Sequence, residues 1–132
     1  VCTPPYVHAE ITINALRSGK NVVCEKPMAA TYEDAKRMLE ELSGNTHEVI
    51  TGVTLRSAEA IKSFSSHSKV HFRTLSREEI EYYVDTYSPM DKAGAYGIQE
   101  WIGFVGVESI AGSYFNVMGL PIQRLYTELK KL

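Results

Sequence analysis

Apolar positions along the chain alternate between helical and strand spacing, and the first of them form a helix. Ala9, Ile13 and Leu16 fall on one helical face, and Gly19, with Arg17 and Lys20 around it, marks that helix's C-terminal end. The run Val22-Val23-Cys24 then predicts a short buried strand closed by Pro27, and Val1 to Thr3 predicts another that enters the Pro4-Pro5 turn. Strand, helix and strand in this order predict a parallel βαβ unit, with Thr3-Pro4-Pro5 and Glu25-Lys26-Pro27 together at the carboxyl edge of the sheet. Thr31 can cap the amide of Asp34, opening a second helix with Ala35, Met38, Leu39 and Leu42 on one face and Ser43-Gly44 at its end.

Farther along, Val49 to Leu55 and Val70 to Leu75 read as strands, separated by a polar, ambiguous segment from Ser57 to Ser68. Ser76-Arg77-Glu78-Glu79 has the form of a capping box, and Ile80, Tyr83, Val84 and Tyr87 give a third helix that Pro89 stops. From Asp91 to Gly119 glycines punctuate β-like runs, Ile102 to Val107 and Ser113 to Met118. Pro121 suits the first turn of a last helix, striped by Ile122, Leu125, Tyr126, Leu129 and Leu132. The predicted class is α/β: a βαβ unit followed by a mixed sheet with flanking helices.

Composition narrows the function. The chain has 132 residues, 44% hydrophobic and 23% charged, with 14 basic against 16 acidic side chains and a net charge of -2. At ~100 to 150 residues per domain this is one domain, 1–132, with too much apolar content for a disordered tail. Near-neutral charge argues against binding to nucleic acid or a membrane surface. The apolar stretch Trp101 to Val107 is far short of the ~20 residues a membrane helix needs. Val1 to Pro5 carry no initiator methionine or signal core, so the chain is expected to begin inside a fold. Cys2 and Cys24 sit in apolar runs without metal spacing, which predicts buried free thiols in a reducing cytoplasm. His8, His47, His67 and His71 lack a zinc-ligand spacing and read as solvated or supporting residues.

Residues 1 to about 39 carry V-C-T-P-P-x-x-H-x-E, A-L-x-x-G-K-x-V-x-C-E-K-P-M-A and T-x-E-D-A. This series resembles the Gfo/Idh/MocA family of NAD(P)-dependent oxidoreductases. The resemblance implies that Thr3, Pro4, Pro5 and Glu25 border a nicotinamide and that Lys26 acts near the reacting carbon. No G-x-G-x-x-G occurs in the sequence, so the pyrophosphate cradle of such an enzyme is absent from it.

A second, longer series runs from about Glu33 to the last residue: E-D-A-K-R-M-L-E-E-L-S-G-N-T-H-E-V-I-T-G-V, F-R-x-L-S-R-E-E-I-E-Y-Y-V, P-M-D-K-A-G-A-Y-G-I-Q and G-S-Y-F-N-V-M-G-L-P. It resembles the Maf family of nucleoside triphosphate pyrophosphatases and implies a Maf-like fold over 40–132. The glutamine of Y-G-I-Q marks the branch that prefers dTTP and UTP, so Gln99 would read the pyrimidine through a carboxamide that both donates and accepts. Asp91, Lys92 and Tyr96 would shape the pocket, and Ser113 and Asn116 would serve it or its turns. Tyr114 and Phe115 read as packing residues. The resemblance also implies a divalent metal, Mg or Mn, a nucleoside triphosphate partner and a homodimer.

The family's Ser-x-Ser-Pro-Arg-Arg loop and Ala-Asp-Thr segment do not occur here. By the same resemblance Lys26 would stand for the family's Gly-Lys-Pro lysine as a catalytic residue, although Lys26 to Thr31 runs two residues longer than the Maf spacing and fits the oxidoreductase motif instead. The two resemblances meet at Glu33 to Leu39, which predicts a chimera-like join there. The expectation is therefore a dTTP/UTP-type pyrophosphatase of impaired activity. The alternatives are an NAD(P)-dependent oxidoreductase fragment and a nucleotide-binding remnant without chemistry.

Overall fold

The computed structural model describes residues 1–131; Leu132, placed above on the last helical stripe, lies outside the described residues. The chain forms two compact units, one made of residues 1–45 and 72–107, the other of 46–71 and 108–132.

The first unit is built from helices. A short 3-10 turn, Pro5–Val7, leads into α1 (His8–Arg17), followed by α2 (Tyr32–Leu42), α3 (Arg77–Tyr87) and α4 (Trp101–Gly106). Their register follows the apolar spacing. Ala9 and Ile13 of α1, Ala35, Met38 and Leu39 of α2, and Ile80, Tyr83 and Val84 of α3 are buried with Phe72 and Ile102. At ~1.5–3 kcal/mol for each large apolar side chain, these residues supply most of the unit's stabilisation. Leu16, expected on the same face as Ile13, is 40% exposed.

The helix caps follow the sequence closely. Asp34 N donates to Thr31 Oγ1 at 3.1 Å, and Glu79 N donates to Ser76 Oγ while Ser76 N donates to Glu79 Oε2. Pro89 stops α3 as its fixed ring predicts, with Ser88 turning into left-handed backbone just before it.

Of the expected βαβ unit, the structure retains the pairing more than the strands. The Val1 nitrogen donates to Val23 O, and Glu25 N donates to Val1 O at 3.1 Å. One residue bonded on both sides of Cys24 is the pattern of a parallel bridge, yet neither segment forms a regular strand. Cys2 is consequently exposed and Cys24 half-buried, both free thiols, which corrects the expectation that they are buried.

The second unit holds the sheet, in the order β1 (Thr46–Arg56), β2 (Ile61–Phe72), β3 (Val107–Ala111). β1 and β2 are an antiparallel hairpin in register from Thr46 opposite His71 to Arg56 opposite Ile61. Ser57 shapes its turn: its amide donates to Ala60 O at 2.9 Å, and its hydroxyl accepts from Ala60 N at 3.1 Å. The ambiguous segment before Val70 is thus mostly strand. It lacked an apolar alternation because Ser66 and Ser68 occupy the buried face of β2, just before Val70 and Phe72.

The two glycine-punctuated runs expected as β are largely helical, α4 and the short α5 (Tyr114–Met118), with β3 between them. Aromatic and β-branched residues suggested strands there, but Ser113 caps α5 by accepting from Asn116 N, and Gly119 at φ +134 ends it. The last helix, α6 (Ile122–Leu129), forms as expected but buries none of its residues. Arg124 instead lies 5.0 Å over the Phe64 ring, and Lys62 pairs with Glu128 at 2.5 Å. Among the described residues no helix is long and apolar enough to cross a membrane.

Candidate functional site

Four of the sequence-predicted site residues, Asp91, Lys92, Tyr96 and Gln99, lie on the segment between α3 and α4. Its path is set by Pro89 and two residues of positive φ. Lys92 N donates to Pro89 O at 3.2 Å, and the chain then makes a 3-10 turn, Ala93–Ala95, with Gly94 at φ +83 and Ala95 at φ +56. A Cβ at Gly94 would also meet the Tyr96 ring at 3.1 Å, so the glycine serves both the turn and the ring beneath it.

Tyr96 is a buried residue of this segment. Its ring is buried, 4.9 Å from Phe72 in an edge-to-face pair, and burial pushes its hydroxyl well above the ordinary phenol range. Gln99 is exposed.

Charge in the segment centres on Lys92. Its Nζ lies 3.2 Å from Asp91 Oδ2 and 3.6 Å from Glu100 Oε1. The ammonium holds the Asp91 carboxyl below its ordinary value, with a smaller contribution from Lys26, and the two carboxylates raise Lys92 in return. Glu100 is in turn held by Tyr83, whose hydroxyl donates to Glu100 Oε2 and accepts from Gly97 N at 2.9 Å. Burial first, then the hydrogen bond to Glu100, raises the Tyr83 hydroxyl far above the phenol range. Tyr83 and Glu100 were absent from the sequence-level candidates: Tyr83 lay in an apolar stripe, and nothing in the sequence marked Glu100 beyond its place after Gln99.

The Lys26 segment lies against this one, since Met28 N donates to Lys92 O at 3.5 Å. It is tied to the Thr3 turn by His8, a ring expected to be solvated or supporting and here only 2% exposed. Nδ1 of His8 lies 2.8 Å from Pro27 O and Nε2 lies 2.6 Å from Thr3 O. Both ring nitrogens thus face backbone carbonyl oxygens, one from each turn. Thr3, Pro4, Glu25 and Lys26 are exposed around this tie, so the two turns do meet as their place at one edge predicted.

Asn116 belongs to the other unit and is fully buried. Its Nδ2 lies 3.2 Å from Val49 O, 3.3 Å from Ser66 O and 3.0 Å from Ser68 Oγ, which ties the amide nitrogen to the hairpin, while its buried Oδ1 has no hydrogen-bond partner among the described residues. Tyr114 and Phe115, expected to pack, are 39% and 52% exposed, because α5 turns Asn116 inward in their stead.

A divalent metal does not fit the residues present. Asp91 and Glu100 are both engaged by Lys92, and among the described residues no group of three His, Cys, Asp or Glu side chains gathers to hold an ion.

Against known proteins, a family model described as "Maf-like protein" matches residues 12–132. The match runs through most of the segment whose motifs resemble the oxidoreductases and across the expected join at 33–39. Over 111 residues the chain is 67% identical to the dTTP/UTP pyrophosphatase of Phocaeicola vulgatus, covering 84% of this chain and 56% of that protein. It is 64% identical over 100 residues to the dTTP/UTP pyrophosphatase of Bacteroides thetaiotaomicron, covering 76% and 52%. The protein of the same name from Cytophaga hutchinsonii is 52% identical over 110 residues, covering 83% and 50%. The chain spans about half the length of the curated relatives it matches.

Proposed function

The chain belongs to the Maf family, and on that premise we propose that it forms the base-recognising half of a pyrophosphatase acting on dTTP and UTP. The supporting observation is the segment from Asp91 to Gln99, which carries an exposed Gln99 carboxamide and a Lys92 ammonium held by Asp91 and Glu100. Relatives 67% identical over 111 residues and 64% identical over 100 residues carry the dTTP/UTP name. Gln99 presents a donor and an acceptor to the imide edge of uracil or thymine, and Lys92 places a positive charge near the nucleotide. Lys26, adjoining Lys92 through the Met28 contact, is the proposed catalytic cation, and Asp91 keeps both lysines from facing each other unshielded. Tyr96 supports this segment from its buried side.

The proposed reaction consumes one water, breaks the bond between the α-phosphorus and the bridging oxygen, and releases a nucleoside monophosphate and pyrophosphate. The donors among the described residues do not gather into a site for a divalent metal. A homodimer and a cytoplasmic location fit this reading. The rival reading, an NAD(P)-dependent oxidoreductase fragment, is left with residues 1–11 outside the Maf match.

Pyrophosphate release from dTTP and UTP with Mg or Mn tests the activity, and titration with UMP and dTMP tests recognition in the absence of turnover. Affinity for UMP that is unchanged in Gln99→Ala would refute the base-reading role. NADH fluorescence that saturates on titration would favour the rival.

A further inference from the structure

Lys92 is held by two acidic partners of unequal firmness. The Asp91 side chain is 77% exposed and can leave, whereas that of Glu100 is 21% exposed and fixed at its other oxygen by Tyr83. Tyr83 itself is fully buried and receives Gly97 N, so the chain Gly97, Tyr83, Glu100, Lys92 runs from the core to the segment that carries Gln99. Gly97 is matched to this arrangement: a Cβ there would come within 2.6 Å of Glu100 Cδ, and the carboxylate could not lie where it does.

We infer that Glu100 is a positioning residue, which, braced by the Tyr83 hydroxyl, holds the Lys92 ammonium in place for a bound nucleotide. This deepens the nucleotide reading above and rests on it. An ammonium has three donors; Asp91 Oδ2 accepts one at 3.2 Å, Glu100 Oε1 attracts the charge from 3.6 Å as an ion pair, and the remaining donors are open to a ligand. The groups facing Lys92 are Asp91 and Glu100 from its own segment, with Tyr83 of α3 behind Glu100 and Lys26 beyond Asp91. A hydroxyl that keeps a carboxylate in one place acts on the ligand without touching it, so removing the hydroxyl leaves every charge unchanged and alters only the ammonium's order.

The test uses the whole chain, with UMP as the probe and carbon-13 lysine to follow the Lys92 titration, assigned through Lys92→Arg. Glu100→Gln is expected to shift the Lys92 midpoint to lower pH. Tyr83→Phe, with all charges kept, is expected to raise the Kd for UMP roughly threefold to tenfold, the scale of one lost hydrogen bond to a charged group. An unchanged Lys92 midpoint in Glu100→Gln overturns the inference, as does unchanged UMP affinity in a folded Tyr83→Phe protein. If Tyr83→Phe does not fold, the Glu100→Gln titration decides alone. If the unaltered chain fails to bind UMP, the nucleotide reading falls, and the Lys92 titration still decides whether Glu100 positions that ammonium.

Discussion

The carboxamide of Asn116 on α5 donates to the Ser68 hydroxyl on β2 at 3.0 Å, in a place without solvent access. Ser68 Oγ also donates to Ser113 O and accepts from Ser113 N, so one serine on the sheet holds both the cap and the first turn of the helix over it. These bonds satisfy Ser68 and the Asn116 amide nitrogen on the inner face of β2, while Asn116 Oδ1 is buried without a partner among the described residues.

Asn116→Ala removes the donor to Val49 O, Ser66 O and Ser68 Oγ and leaves buried acceptors unmet. It should cost ~2–4 kcal/mol. Urea unfolding would read the loss, and amide exchange would rise along β1 and β2. A normal midpoint combined with weakened UMP binding would instead return Asn116 to the ligand.

Gly97 and Gly103 separate two kinds of constraint. A Cβ at Gly103 would lie 1.9 Å from the Ile98 carbonyl oxygen, against backbone that cannot yield, whereas at Gly97 it meets only the Glu100 side chain. Gly103→Ala should therefore destabilise by ~3 kcal/mol or more, and Gly97→Ala by ~1 kcal/mol at most. Thermal unfolding of the two variants side by side would check the order.

His47 on β1 has its imidazole pushed down from 6.5 to about 4 by burial. Folding thus excludes a proton that the unfolded chain accepts, so stability is complete above pH 6.5, declines as pH falls, and levels off near 4. Urea midpoints measured across that window should converge with those of His47→Gln at neutral pH and fall below them in acid. Parallel curves for the two proteins would contradict this.

Glu79 accepts from Ser76 N and from Arg73, and the Arg73 bond, followed by the Ser76 bond, holds its carboxyl below the ordinary range. A depressed folded value means that its contribution is present above the unfolded value of 4.5 and is lost as pH falls through the lower folded one. Ser76→Ala should cost ~1 kcal/mol by leaving the first turn of α3 uncapped. Circular dichroism melts at pH 7 would measure it.

Much of this molecule is local in origin and so could be read along the chain. Thr31 and Ser76 start their helices through bonds that span three residues, Pro89 ends α3 through its own ring, and Ala35, Met38 and Leu39 share a face because of helical pitch. Gln99 and Lys92 were likewise marked by an ordered motif. What lay beyond reach depended on partners distant in sequence. Ser66 and Ser68 face inward only because Asn116, about fifty residues later, meets them. Tyr83 becomes part of a site only because the chain returns to place Glu100 against its hydroxyl. His8 becomes a buried tie only because Pro27 comes back beside Thr3. A polar group's worth depends on who desolvates and satisfies it, and that is decided when the chain closes on itself.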